Sequence, residues 1–176
     1  MKKIFYIILF SLTVLVSCTK TEPLRTSGID TIDNSTYQTT TYFVYGFSFS
    51  RAMLVSTIES HGYDIVLYVN NDSPPGRLTF QANNLKPSFA KAGDYADAEA
   101  AKTAFNNLKT IPALQWQDMA DPIAPNQLWI YRTGSENYVK IRIVSTINEI
   151  RSTLPYGECT FQWVIQPDGS TTFPGK

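Results

Sequence analysis

The chain has 176 residues, with 15 basic and 15 acidic side chains and a single histidine, so it carries no formal net charge and offers no basic face of the kind that binds nucleic acid. A hydrophobic content of 43% with 13% aromatic residues excludes a disordered polymer and suits one aromatic-rich, sheet-bearing domain. Two cysteines, Cys18 and Cys159, exclude a disulfide scaffold.

Lys2 and Lys3 open the chain, and an apolar run from Ile4 to Val16 comes next, ending in Leu15-Val16-Ser17-Cys18. A membrane-spanning helix takes roughly 20 apolar residues. The run is shorter and stops at a small residue and a cysteine, the pattern of a lipoprotein signal peptide over residues 1–17. Its lipobox predicts diacylglycerol on the Cys18 sulfur and cleavage before that residue. The mature chain of 159 residues would keep 13 basic against 15 acidic side chains, a net of −2. Two or three acyl chains anchor far more firmly than one. The expected location is therefore the cell envelope, lipid-anchored in the outer membrane through Cys18 and facing either the periplasm or the surface.

Residues 18–40 are rich in Thr, Ser, Asp and Asn with few large apolar side chains, which predicts a flexible tether. A β-rich ligand-binding domain is expected over 41–176. From Tyr42 the pattern turns to period two, with Phe43, Tyr45, Phe47 and Phe49 on one face. Further strands are expected at 52–57, 63–69 and 77–82, the last two joined as a hairpin through Asn70 to Gly76. Ala98, Ala101, Phe105 and Leu108 fall at helical spacing, so Asp97–Lys109 predicts a helix capped by Asp94 or Asp97, with Phe105 turned towards a sheet. Residues 111–127 hold three prolines and no sustained period, which predicts a long loop of the kind that often carries function. Strands are expected again at 128–133, 138–146, 159–166 and 171–173. In the second of these Val139, Ile141 and Ile143 face one way and Lys140 and Arg142 the other. The tight turn at Pro167–Ser170 is expected to join the last two.

The fold class expected is mostly β, all-β or α+β, with antiparallel sheets and one or two short helices. No Gly-x-Ser-x-Gly elbow, paired-histidine zinc helix or phosphate loop is present. Any imidazole chemistry must pass through His61, which sits in the polar turn Glu59-Ser60-His61-Gly62. The expectation is a protein that is not an enzyme. Asp94, Asp97 and Glu99 are explained by the helix start, and Cys159 reads as a small buried hydrophobe. Tyr95, Trp116 and Trp129, with Met119 in the loop, are the candidate ligand-binding set, because aromatic rings beside a long loop suit a planar ligand.

The segments Tyr63-Asp64-Ile65-Val66-Leu67, Leu128-Trp129-Ile130-Tyr131-Arg132-Thr133, Tyr138-Val139-Lys140-Ile141-Arg142-Ile143 and Phe161–Gln166 with Asp168-Gly169-Ser170 resemble, in their order, the HmuY-like lipoproteins of Bacteroidota. That family has a Trp-Asp-Ile-Ala-Phe strand, and an Arg-Thr hairpin leading into a Tyr-Ala-Lys strand. The resemblance implies a haem-scavenging lipoprotein that hands haem to a TonB-dependent receptor and holds iron with a histidine or methionine pair. His61 is alone, so a histidine pair is impossible in this chain. Of the mature methionines, Met53 lies in a strand pattern and Met119 in the loop where the family's second ligand falls, which makes Met119 the candidate haem-iron ligand, with Tyr95 a conceivable phenolate partner. The alternative is an accessory structural or adhesion lipoprotein that binds a protein or glycan partner.

Overall fold

Period-two alternation builds two antiparallel sheets of five strands each. The computed structural model describes residues 25–36, 44–58, 62–70, 76–84 and 86–173. Its strands are β1 (Ser27–Asp33), β2 (Tyr45–Ser48), β3 (Met53–Ser56), β4 (Ile65–Asn70), β5 (Arg77–Ala82), β6 (Phe89–Asp94), β7 (Met119–Ala120), β8 (Gln127–Arg132), β9 (Tyr138–Arg151) and β10 (Leu154–Gln166); the helix is α1 (Ala98–Asn107). One sheet runs β1-β10-β9-β8-β6 and the other β3-β2-β4-β5-β7.

Inward residues of the first sheet are Trp129 and Tyr131 from β8, Val139, Ile141 and Ile143 from β9, and Cys159, Phe161, Trp163 and Ile165 from β10. They pack on Phe47, Ile65, Leu67, Val69, Leu78 and Phe80 of the second. Phe161 sits at the centre, its ring 5.2 Å from Phe47 and 5.8 Å from Phe80, both edge-on. Such aromatic pairs add about 0.5–1.5 kcal/mol each beyond their buried area.

The outer face of the first sheet is covered as well. Leu128, Ile130 and Val164 form a smaller apolar cluster with Ala101 and Phe105 of α1 and with Phe173. Asp97 caps this helix, its Oδ1 accepting the Ala100 amide at 2.8 Å. The expected helix, its cap and the inward Phe105 are all present. Lys140 and Arg142, which alternation sends to this face, are not solvated but 3% and 7% exposed.

The tether expectation needs correction. Residues 27–33 are not a tether but a strand, paired antiparallel with β10 from Ser27↔Val164 to Asp33↔Glu158. Ile32 is 1% exposed in the core and the Asp30 carboxylate accepts the Trp163 indole N–H at 2.7 Å. Seven backbone partners and one well-placed isoleucine outweigh the polar composition, since an edge strand needs only one apolar face. Residues 18–24 and 37–40 of the expected tether lie outside the described residues, as do Thr41–Phe43 of the first expected aromatic strand.

Other boundaries moved. Strand β6 was not expected, because Ala90, Lys91, Ala92 and Gly93 do not alternate and the register shifts between Lys91 and Gly93. The loop at 111–127 is pinned by reciprocal backbone bonds between Gln117 and Phe89 and contains β7, paired with β5. Strands β9 and β10 run several residues beyond their expected ends to a turn at Ser152 and Thr153, both with positive φ. A bulge opposite Thr160 and Phe161 bends this hairpin. Its far arm reaches the second sheet, where Gly157 lies against Leu78 and Val69 and the Asn148 amide donates to the Gly76 carbonyl at 2.7 Å. Residues 171–173 bridge to Thr110 rather than back to β10.

Candidate functional site

The four sequence candidates do not share one concavity. Trp129 points into the sandwich, 1% exposed, its indole N–H donating to Gln127 Oε1 at 3.0 Å. Strict alternation along β8 dictates this, because Leu128 and Ile130 take the outer face. Tyr95 and Trp116 lie on that opposite face, half-buried against the cluster around α1. The Trp116 ring is 6.2 Å from Tyr138 and lies under the Arg132 guanidinium at 4.7 Å. Met119 sits on β7 at the edge of the second sheet, 40% exposed, its sulfur accepting from Gln81 Nε2 at 3.5 Å. Cys18 and His61 lie outside the described residues.

Met119 borders a shallow depression of about 330 Å³ with Tyr63, Val66, Gln81, Ala82, Asn84 and Asp118. A haem slot needs apolar walls enclosing a large planar ring and an iron ligand aimed at its centre. The rim here is as polar as it is apolar, with Gln81, Asn84 and Asp118 beside Tyr63, Val66 and Ala82, and the three aromatics expected to wall the ring are elsewhere. The residues brought together around Met119 do not fit haem.

Other reactive side chains are accounted for structurally. The Cys159 thiol is buried and its pKa is pushed far up by desolvation, then by the Glu158 charge, so no thiolate is available. Asp121 accepts the Thr79 hydroxyl at 2.7 Å and pairs with Arg77 at 3.5 Å. Asp64, partly buried just before β4, is a perturbed acid: burial raises its carboxyl to about 6, partly opposed by the Phe49 and Ser50 amides. Its carboxylate accepts the Phe49 N–H at 2.7 Å, and its backbone carbonyl accepts the Tyr131 hydroxyl at 3.0 Å. Among the described residues no group of three His, Cys, Asp or Glu side chains is arranged to hold a metal ion.

A second concavity among the described residues was not anticipated. Helix α1 covers the β8–β9 side of the outer face and stops short of β1, which leaves a groove of about 210 Å³ between helix and edge strand. Gln162 and Val164 of β10 and Lys140 of β9 form its floor, Phe105, Asn106 and Lys109 one wall, and Ser27 and Ile29 the other. Lys140 Nζ donates to the Phe105 carbonyl at 2.8 Å and the Leu108 carbonyl at 3.0 Å, closing the C-terminal end of α1. The Phe105 and Phe173 rings flank the ammonium at 4.7 and 5.3 Å. Burial first, and the Lys109 charge second, lower its pKa to about 8, so it remains largely protonated at neutral pH. Arg142 beside it donates Nε–H to Gln162 Oε1 at 2.9 Å. Sequence reading placed Lys140 and Arg142 on the face opposite Val139, Ile141 and Ile143 and drew no site from them. The signal was there in the facing helix, whose apolar stripe had to cover the same side of β9.

The groove therefore brings two lysines together with apolar walls. In comparisons with known proteins, no family model matches the chain and no curated protein matches it.

Proposed function

We propose that the chain is a non-enzymatic ligand-binding lipoprotein of the HmuY-like kind, held in the outer membrane by acylated Cys18. The observation that carries ligand binding is the groove between α1 and β1, in which buried Lys140 and its neighbour Lys109 meet the apolar walls of Phe105, Ile29 and Val164. A site of about 210 Å³ takes ligands smaller than the drug-sized molecules that fill about 300–1,000 Å³. Anchoring draws its support from the lipobox and from the length of the apolar run before it. The experiment that tests ligand binding is a fragment screen on residues 18–176 carrying Cys18→Ser, read by amide chemical shifts. Shifts confined to Ser27, Ile29, Gln162 and Val164 support the reading; a silent groove across anionic, neutral and cationic fragments ends it.

Haem capture with transfer to a TonB-dependent receptor is the specific version that the family resemblance implies. Haemin titration decides it: a shifted Soret band that is lost in Met119→Ala supports haem, and the spectrum of free haemin removes it while leaving the groove untouched.

A second reading, an adhesion or accessory module, is favoured by the far end of the β9–β10 hairpin. Ile147, Ile150 and Leu154 are 39%, 51% and 70% exposed there. Exposed apolar residues on both faces of this end, Ile147 and Leu154 on one and Ile150 on the other, suit a protein or glycan partner. Capture of a defined macromolecule that Leu154→Asp abolishes would select this reading.

A further inference from the structure

Among the described residues no helix covers the outer face of the second sheet, and the strand register lays one row of residues across it. Gly46 of β2 is opposite Val66 of β4, Val66 opposite Gln81 of β5, and Gln81 opposite Met119 of β7. The depression of about 330 Å³ lies on this row, over the opposite sheet from the groove between α1 and β1. Tyr63 walls it on the β2 side. A Cβ on Gly46 would come 2.8 Å from Tyr63 Cγ and 3.0 Å from the Ile65 carbonyl oxygen, so the glycine is what lets the tyrosine lie against the sheet.

The polar side is held as firmly. Gln117 exchanges backbone hydrogen bonds with Phe89 of β6 and Met119 pairs with Gln81 of β5, so Asp118 is fixed between an edge of each sheet. The Asn84 carbonyl accepts from the Ser88 hydroxyl at 2.6 Å and the Lys86 amide at 3.1 Å. Gln81 reaches along the row, its Nε2 3.5 Å from the Met119 sulfur. Among the described residues neither the exposed Asp118 carboxylate nor Gln81 Oε1 has a hydrogen-bond partner. This set selects a class of ligand. No lysine or arginine lines the depression, so an anion meets Asp118 and finds no counter-charge. The apolar part is small and interrupted by amides, unlike the mostly apolar lining that a drug-like body takes. A hexose matches both halves: one face of its ring presents C–H groups to an aromatic side chain, and its hydroxyls donate to carboxylate and amide oxygens.

We propose that the depression over Val66, Gln81 and Met119 binds a terminal neutral hexose of a glycan, its C–H face against Tyr63 and its hydroxyls donating to Asp118 and Gln81 Oε1. At about 30 Å³ per water-sized group, 330 Å³ holds roughly eleven such groups, the size of one pyranose with its hydroxyls. The shallow form of the site leaves the rest of the glycan in solvent.

The test titrates residues 18–176 carrying Cys18→Ser with the methyl glycosides of glucose, galactose and mannose, read by amide chemical shifts, with the permethylated form of each and choline in parallel. At least one glycoside is expected to shift Val66, Gln81, Asp118 and Met119 saturably, with a Kd of roughly a few millimolar from the ligand efficiency usual for so small a molecule. Its permethylated form, which has no hydroxyl to donate, should leave them unmoved. Asp118→Ala, at an exposed position, should weaken binding about tenfold, the size of one hydrogen bond to a charged group, while the unfolding midpoint holds. Tyr63→Ala should abolish the shifts and Tyr63→Phe keep them, because the ring and not its hydroxyl meets the sugar. If Tyr63→Ala does not fold, Asp118→Ala and the permethylated sugars still decide. Silence of these residues to every glycoside overturns the proposal, as do equal shifts by a permethylated sugar, choline binding more tightly than any sugar, or shifts confined to Ser27 and Ile29. Failure here leaves the groove reading as it stood, because that reading is decided by fragment shifts at Ser27, Ile29, Gln162 and Val164.

Discussion

Asp64→Asn isolates the energetic consequence of a buried carboxyl in the sandwich. Burial raises the Asp64 pKa from 3.8 to about 6 in the folded protein. The folded state therefore holds a proton that the unfolded chain releases across this interval. Its favourable contribution is complete below pH 3.8 and is lost as pH rises through 6. Above that, the charged carboxylate is present in both states and the fold bears the desolvation cost. A shift of about 2.2 units at about 1.36 kcal/mol each comes to roughly 3 kcal/mol. Asparagine keeps an oxygen to accept the Phe49 amide at the present 2.7 Å position and never ionises. The variant should be more stable than the parent by up to about 3 kcal/mol at about pH 7–8, with the difference closing between about pH 6 and 4. Urea unfolding followed by fluorescence of the buried Trp129 and Trp163, repeated from about pH 4 to 8, measures it. A stability difference that is independent of pH, or a variant weaker than the parent at the alkaline end, would refute the argument from burial.

A chain beginning at Thr41, the domain start that composition alone indicates, lacks β1 and should be less stable than residues 18–176 by more than about 3 kcal/mol, since it uncovers Trp163 and Cys159 and loses buried Ile32; equal urea midpoints would show β1 to be dispensable. Gly157→Ala places a methyl 2.4 Å from Leu78 Cδ2 and 2.6 Å from Val69 Cγ2, so it should destabilise by about 1–3 kcal/mol and loosen the far arm of the hairpin, visible as faster amide exchange around Asn148. Phe161→Ala should cost about 3–5 kcal/mol in the same unfolding assay, because its ring meets Phe47, Phe49 and Phe80 at once. Asp97→Ala removes the cap of α1 and should cost about 1 kcal/mol, read in the unfolding midpoint.

The elements most legible from sequence were those whose own side chains declare their environment. Val139, Ile141 and Ile143 announce an inward face, and Ala101 with Phe105 a helix lying on a sheet, and both are found. Strand β1 was hidden because its pairing energy lies in backbone bonds to β10, a partner more than a hundred residues away, and only Ile32 reports the core. Strand β6 was hidden by its small residues and shifted register. Trp116 and Trp129 both belong to the stretch in and just after the loop, yet they end on opposite faces of the first sheet; proximity along the chain carried no information about that. Lys140 was legible as a strand residue and illegible as a helix cap, because its acceptors belong to the end of α1. A site assembled from the side of a helix, the edge of a strand and the floor of a sheet has no contiguous motif to find.

The intact mass of the amino-terminal peptide, taken from envelope fractions of cells making the full chain, tests most directly whether this groove-bearing sandwich is held at a membrane. The account predicts a peptide beginning at Cys18 with diacylglyceryl on its sulfur, and its disappearance in Cys18→Ala. A peptide that retains residues 1–17, or begins at Cys18 without lipid, would contradict it.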